Sequence, residues 1–342
     1  MRVGSNPYKD QLLRTPEYVH QVVIPVYIPH EEGYFNDSFK ILKLCLNSLL
    51  ATKHSKTFIS VINNGSCTNV KLYLDDLYQQ AVIQELIHTE NIGKLNSILK
   101  GIVGNKIPLV TIADADVLFL DHWQLETTKV FQKVPQAGVV GIVPQFKMYE
   151  SNCGNVLWAN LFSNKLRFCS VKNKEALIRF YDSLGWDRNY NQDYLEQHLG
   201  LLIDAQLKVL IGSGHFVATY KKDIFENVVS YIDYKMGGDS EGYLDQLPLE
   251  KDYWRLTTHD NYAYHMGNVY EDWMVVPSKN NNEMDFSSIQ FSERKQINAI
   301  SHFFKNRLFT KVLSFYWTNK LFLYGKHLPK HMIFNYHLIG TK

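Results

Sequence analysis

Asp114 and Asp116 stand one residue apart in the stretch 108–120, PLVTIADADVLFL, with apolar chain on either side. The residues before them form a short, near-continuous apolar run, the pattern of a central parallel strand buried on both faces. An unpaired carboxylate in such surroundings is costly, so two of them call for a counter-charge. A hard divalent cation bridging to a phosphate supplies one, because Mg²⁺ is held by one or two carboxylates together with substrate phosphate oxygens. The plainer alternative is a polar turn capping the following helix.

The elements that would position these acids follow from periodicity and turn chemistry. Residues 22–28, VVIPVYI, read as a first strand with Pro25 in its second half and Tyr27 near its end. Lacking an N–H, Pro25 should end a ladder or sit at the mouth of a sheet. Residues 38–50 place Phe39, Leu42, Leu46 and Leu49 on one helical face. A second strand, 57–63, stops at Asn63-Asn64-Gly65-Ser66, a strong turn signal. A helix over 70–80 and a strand over 82–88 follow. Asn91-Ile92-Gly93-Lys94 then opens a helix that closes near Gly101, ahead of the strand ending at Asp114. Four strands with intervening helices predict a parallel, doubly wound α/β sheet, in which ligands lie at the carboxyl ends of the strands. Tyr27, Asn63, Asn64, Asn91 to Lys94 and Asp114 to Asp116 all fall at or just beyond those ends.

The second half is less regular. Residues 139–143 read as a strand, 145–192 as an aromatic, Asn-rich stretch and 194–207 as a helix. Residues 209–211 lead into Gly212-Ser213-Gly214-His215 and a strand over 216–220. Residues 237–241 precede a short helix through Leu247, 254–258 form a strand, and 263–268 close the globular part.

Composition narrows the classes. At 342 residues, 45% apolar and 20% charged, the chain has room for ample core. A net charge of +2 argues against nucleic acid as a partner. The aromatic share of 13% suits surfaces that stack on flat or sugar-like ligands. Cys45, Cys67, Cys153 and Cys169 show neither a CxxC pair nor zinc spacing, which fits reduced thiols and a cytoplasmic location. The polar N-terminus does not read as a signal peptide, and no run is apolar enough to cross a bilayer.

Seven stretches in order, VIPVY, VINNGS, NIGKLNSILKGI, TIADADV, GSGHF, GGDSE and YHMGN, resemble an inverting GT-A glycosyltransferase of family 2 over roughly residues 20–270. The resemblance implies an α/β, Rossmann-like GT-A fold whose mixed, mostly parallel sheet is flanked by helices. It places a catalytic domain at 1–275, with a nucleotide-sugar half of about 20–143 and an acceptor half of about 144–275. A basic, aromatic helical tail follows at 276–342.

By the same resemblance, Asp114 and Asp116 match the DxD motif and His265 the late metal histidine, together holding Mn²⁺ or Mg²⁺; His259 is a weaker candidate. Such a cation neutralises a diphosphate leaving group. Pro25, Tyr27, Asn63, Asn64, Lys94, Asp114, Gly212 and Gly214 fall to nucleotide-sugar binding. Asn63 and Asn64 stand where the family usually carries an acid, which weakens any choice of base. Asp239, Glu241 and Asp245, after the glycine loop, are the candidates for general base, with Asp239 first. The activity implied is transfer of a hexose or N-acetylhexosamine from a nucleotide sugar, UDP-linked by preference, to a glycan or lipid-linked acceptor, as in surface polysaccharide synthesis. The competing readings are a non-catalytic nucleotide- or glycan-binding protein on this scaffold and, more remotely, a nucleotidyltransferase.

The tail interleaves Phe303, Phe304, Leu308, Val312, Phe315, Tyr316, Trp317, Leu321, Phe322 and Tyr324 with Lys305, Arg307, Lys311 and Lys320. Residues 281–342 carry +6 and the rest of the chain −4. Such a segment fits peripheral contact through 300–325 with the inner face of a membrane, or packing on the catalytic domain, or a homodimer contact.

Overall fold

The computed structural model describes residues 4, 6, 9–12, 17–229, 231–237, 240–278, 294 and 296–336, apart from the side chains of Ser240 and Glu241. Its frame is a ten-stranded sheet in the order β3-β2-β1-β4-β10-β6-β11-β9-β8-β7. These strands are β1 His20–Val26, β2 Thr57–Asn64, β3 Glu85–Thr89, β4 Leu109–Ala113, β6 Ala137–Gly141, β7 Leu166–Ser170, β8 Gln197–Leu202, β9 Lys208–Ile211, β10 Val217–Lys221 and β11 Trp254–Thr258. A separate two-stranded ribbon pairs β5 Val117–Phe119 with β12 Ala263–His265. The first four strands of the sheet pair in parallel, as does β6 with β11; the remaining ladders are antiparallel. The result is the expected α/β architecture with a mixed sheet.

Helices cover both faces. They are α1 Ser38–Thr52, α2 Thr68–Gln79, α3 Lys94–Ile102, α4 Trp123–Lys133, α5 Gly154–Ala159, α6 Lys174–Ser183, α7 Ser240–Glu250, and, in the tail, α8 Ala299–Phe303, α9 Phe309–Ser314 and α10 Tyr316–Gly325. Along β1 the pleat sends Val22, Ile24 and Val26 into one core with Leu42, Cys45 and Leu46 of α1. Val23 points the other way, into a core with Ile98 of α3 and Leu247 of α7. Pro25 explains where β1 parts from β4. Pairing with β4 ends at Val23–Ile112 while pairing with β2 continues to Val26–Asn63, so the missing N–H falls where no partner strand remains on that side.

The helix expected over 194–207 is a correction. A single 3₁₀ turn, Gln192–Leu195, is followed by β8. Leu199 and Leu201 alternate inward with Gly200 between them, and β8 is claimed on both sides by β7 and β9. Tertiary pairing overrides the helical reading of the same leucines. The tail is part of the second core: Phe309, Phe322, Leu323, Met332 and Tyr336 pack with Tyr149, Phe168 and Leu199. Among the described residues, no helix is long and apolar enough to cross a membrane.

Beneath the sheet lies a buried polar network. His20 Nε2 is 2.6 Å from Thr111 Oγ1, which is 2.6 Å from Thr219 Oγ1, while Gln124 Nε2 reaches His20 Nδ1 at 3.0 Å and donates to Thr57 Oγ1 at 3.0 Å. It ties β1, β2, β4, β10 and α4 together. Burial holds His20 well below the usual histidine range, His54 down at about 3 and His198 at about 4. In the unfolded chain an imidazole titrates near pH ~6.5. The stabilisation from keeping these rings neutral is therefore whole above that pH and is lost as pH falls toward the folded values, by about 1.4 kcal/mol per pH unit for each ring. Denaturant midpoints should drop steeply between pH 7 and pH 5, and His20→Gln should make the slope shallower by one ring's share. An unchanged slope would show that His20 is not held neutral.

Candidate active site

The two aspartates leave the sheet where β4 ends. Asp114 N donates to Phe216 O at 2.8 Å, which anchors the turn to the chain entering β10. The ribbon then does what local sequence could not. β12 pairs antiparallel with β5, His265 opposite Val117, and Met266 N donates to Asp116 O at 2.8 Å. This brings His265 Nε2 to 3.4 Å from Asp116 Oδ2.

The neighbours of His265 assign its tautomer. Ser183 Oγ donates to Phe180 O at 2.6 Å, so its remaining capacity toward His265 Nδ1, 2.9 Å away, is as an acceptor. Nδ1 then carries a proton, and Nε2 is the ring nitrogen turned toward the carboxylate. Asp116 Oδ1 is buried without a hydrogen-bond partner among the described residues. Burial raises the Asp116 pKa above the usual carboxylate range, Asp114 adds to the rise, and His265 and Lys94 oppose it. A ring nitrogen and an under-solvated carboxylate thus face each other here. The chemistry of this imidazole and carboxylate fits a divalent cation, which Asp116 and His265 would hold.

Asp114 is placed differently. Lys94 Nζ lies 2.8 Å from its Oδ1 and 2.9 Å from its Oδ2. Among the described residues no three His, Cys, Asp or Glu side chains form a ready metal cluster. The structure thus brings Asp116 and His265 together and gives Asp114 a lysine as its counter-ion.

Lys94 opens α3 directly after Gly93, whose φ is +91° and whose missing Cβ would stand 2.7 Å from Tyr234 O. Only glycine suits that backbone and that closeness. Lys94 N donates to Lys235 O at 2.9 Å, and Asn96 exchanges two hydrogen bonds with Ile232, so the backbone of 232–235 caps this helix end. The phosphate role expected of Lys94 rests on Nζ.

A cleft of ≈410 Å³ runs along these strand ends, and Pro25, Tyr27, Asn64, Lys94, Asp114 and Asp116 all line it. Sequence reading missed four further groups on its walls, Tyr34, Phe35, Lys235 and Asn268. Tyr27 and Tyr34 meet Phe35 edge-on at 6.0 and 5.1 Å, making an aromatic wall. The adjacent aromatics of EEGYFND and the Asn of YHMGN were the available signals.

The remaining candidates fall elsewhere. Asn63 is buried and does not line the cleft; it accepts from Ser66 N at 3.0 Å, and its Nδ2 is 2.9 Å from His88 Nδ1. Gly212 and Gly214 do not line it either. With φ at +98°, Gly212 packs where a Cβ would stand 2.4 Å from Met148 O, and Gly214 presses on the Gln145 side chain. Asp239 and the side chain of Glu241 lie outside the described residues. Asp245 is held by the buried Arg255, whose Nη2 lies 2.5 Å from its Oδ1. His259 sits 3.8 Å from Cys169 Sγ, outside the cleft.

Residues 22–198 match the family model described as "Glycosyl transferase family 2". No curated protein matches the sequence. Among solved structures the chain is similar to TarS 1–349 of S. aureus in complex with UDP, at 13% identity and a TM-score of 0.40, covering 72% of this chain and 59% of that one. It is also similar to the mannosyltransferase PcManGT of Pyrobaculum calidifontis in complex with GDP-Man and Mn²⁺, at 14% identity and a TM-score of 0.42, covering 72% of this chain and 56% of that one. The chain therefore spans less than two thirds of either.

The Asp116–His265 pair has a consequence for stability. Because burial raises the Asp116 pKa, its ionisation costs stability that is absent below the unfolded value of ~3.9 and grows as pH rises through the folded one. At neutral pH without metal, Asp116→Asn should melt no lower than the parent chain. Mn²⁺ at about a hundred times its Kd should stabilise the parent by about 2.7 kcal/mol and leave the variant unmoved. Equal metal shifts in both, read by calorimetry, would place the cation elsewhere.

Proposed function

The chain belongs to glycosyl transferase family 2, and from that premise we propose that it moves a sugar from a nucleotide sugar, UDP-linked by preference, to a glycan or lipid-linked acceptor in one displacement with inversion. The observation that carries this reading is one cleft lined by Asn64, Lys94, Asp114 and Asp116 at the ends of parallel strands, with His265 turned toward Asp116. The aromatic wall of Tyr27, Tyr34 and Phe35 suits a base or ribose. Lys94 and Lys235 bring cations to the same cleft and suit a diphosphate. Asp116 and His265 would hold the Mn²⁺ or Mg²⁺, and the cation would neutralise charge on the departing diphosphate.

An inverting displacement also needs a carboxylate to take the acceptor's hydroxyl proton. Asp245 already accepts from a buried guanidinium and is poorly placed to act as that base. We assign the role to Asp239, with Glu241 next. With Mn²⁺ and a panel of nucleotide sugars, release of the free nucleotide should be lost in Asp116→Ala. Asp239→Asn should lower kcat by about 10²- to 10⁴-fold with an unchanged melting temperature. Asp245→Asn should instead destabilise the fold, by about 3 kcal/mol, because it leaves Arg255 buried without its partner. Parent-like turnover in Asp116→Ala would remove the metal-dependent mechanism.

The tail supports a membrane-side acceptor. From Ala299 to Ser314 the chain is one helical run whose middle, Phe304–Leu308, is a π-type turn. One face packs inward through Asn306 against Asn155 and through Phe309 against Trp158. The solvent face presents Ile300, Phe304, Leu308, Val312 and Phe315 at near four-residue spacing, and Trp317 and Leu321 beyond the bend remain 81% and 71% exposed. From Arg294 to Lys342 there are nine Lys/Arg and no Asp or Glu. Lys305 is paired with Asp252 and Lys326 is buried, which leaves Arg307 and Lys311 exposed on the same helical run. An anionic bilayer attracts them, by about 1 kcal/mol per cation near the surface, whereas two copies meeting there would repel. Vesicles containing phosphatidylglycerol should pull down the full chain at low salt. Phe304→Ser with Trp317→Ser should weaken that binding about tenfold or more. No pull-down at any lipid concentration would refute the contact while leaving the transfer reaction intact.

A further inference from the structure

At the other end of the sheet, sharing no wall with the donor cleft, lies a larger hollow of ≈700 Å³. Its walls carry Arg167 from the edge strand β7, Lys172 just beyond it, Lys208 from β9, His259 after β11 and His327 from the tail. No Asp or Glu lines it. Asp260 stands at its margin and pairs with Lys172 at 2.8 Å, across side chains that are 53% and 28% exposed. Arg167 and Lys208 have no carboxylate partner among the described residues. The whole chain nearly balances its charge, 36 Lys+Arg against 34 Asp+Glu, so general basicity does not explain this gathering.

Like charges around a concave wall repel, and low-dielectric surroundings focus their field. The neighbouring groups register that field. Burial keeps His259 below the usual histidine range and Lys208 and Lys172 push it lower, against a backbone hydrogen bond at Ser170 and the charge of Asp260. His198, 5% exposed, has no hydrogen-bond partner for Nε2 among the described residues, and burial and His259 lower its pKa to about 4. The Cys169 thiol beside His259 is raised by burial in spite of Lys208 and Arg167, so no thiolate supplies the missing negative charge.

We propose that this hollow binds phosphate, with room for a short run of linked phosphates. The count of charges selects the ligand. Lys172 already pairs with Asp260, so Arg167 and Lys208 are the permanent cations left to answer: a single carboxylate would leave one of them uncompensated, whereas a phosphate dianion answers both. Arg167 supplies a fork for two oxygens, Lys172 and Lys208 supply point charges, and the imidazoles of His259 and His327 add N–H donors once an anion draws a proton to them. The hollow is composite. Phe168 N donates to Lys326 O at 2.8 Å, which seats the tail on the β7 edge and delivers His327 to the rim. The proposal does not depend on the transfer reaction.

The test uses the full chain, labelled at histidine and free of divalent cations, titrated with inorganic pyrophosphate and, in a second arm, with long-chain polyphosphate. His259 and His327 report this hollow and His265 reports the donor cleft. Pyrophosphate is expected to shift the His259 and His327 resonances and to raise the pH midpoint of His259. Arg167→Gln with Lys208→Gln should weaken that binding about tenfold or more. Lys71→Gln with Lys106→Gln, which removes the same charge from exposed sites elsewhere, should not. Tighter binding of polyphosphate per phosphate would assign the hollow to a phosphodiester-type chain, and equal binding to isolated phosphate groups; either supports the site. Resonances of His259 and His327 that stay fixed, or that move equally in the Arg167/Lys208 variant, would overturn it, as would movement of His265 alone. Melting curves establish that each variant is folded.

Discussion

A carboxylate that the protein leaves short of partners organises this molecule. Asp116 is half enclosed by apolar chain, its Oδ1 lacks a hydrogen bond among the described residues, and the ring of His265 is turned toward its Oδ2. Leaving such a group unsatisfied costs on the order of 1–3 kcal/mol. Water or a bound group can relieve that cost at a side chain that is 29% exposed, and such a group can also serve function. The ribbon of β5 and β12 exists in register to hold this arrangement: shifting β12 by one residue would turn His265 away and put Tyr264 in its place.

Everything that makes the cleft precise lies one layer behind it. Gly93 lets residues 234 and 235 close over the start of α3, and that closure directs Lys94 toward Asp114. Ser183, on α6, sets the tautomer of His265. The buried chain of His20, Thr111 and Thr219 fixes β1, β4 and β10 relative to one another, so the turn carrying both aspartates starts from a rigid edge. The site is built on strand ends and stiffened by polar groups that never face the cleft.

What the sequence makes legible follows from which forces are local. Strands buried on both faces, such as β4 with Leu109 to Ala113, announce themselves by composition, and the turns at Asn63-Asn64-Gly65 and Gly93 by backbone need. Motif order was enough to carry the family and the α/β class. The ribbon, the edge strand β7 and the strand character of β8 were not readable, because each depends on a partner far along the chain: β8 on β7 and β9, β5 on a segment near residue 264. For the same reason Lys94 was legible as a cation at a helix start, but its hold on Asp114 was not. Asp239 and Glu241 keep only the standing that motif position lends them.

The two amides where the family usually has an acid illustrate how a departure from a motif can be structural. Asn64 Oδ1 accepts from Ile92 N at 2.9 Å and from Thr89 Oγ1 at 3.4 Å, while its Nδ2 donates to Asn91 Oδ1 at 3.4 Å. Asn63 likewise both accepts, from Ser66 N, and presents Nδ2 to His88 Nδ1, whose Nε2 is 2.8 Å from Asp75. With Nε2–H donating to Asp75 and Asn63 Oδ1 already accepting from Ser66 N, Asn63 Nδ2 donates to His88 Nδ1. An ionised carboxylate at either position could not donate; at 63 it would face a lone pair and at 64 another carbonyl oxygen. The amides are therefore needed to stitch the end of β2 to the loop that delivers Gly93 and Lys94. The cleft wall beside them is made instead by Asn91, Tyr27 and the Tyr34-Phe35 pair.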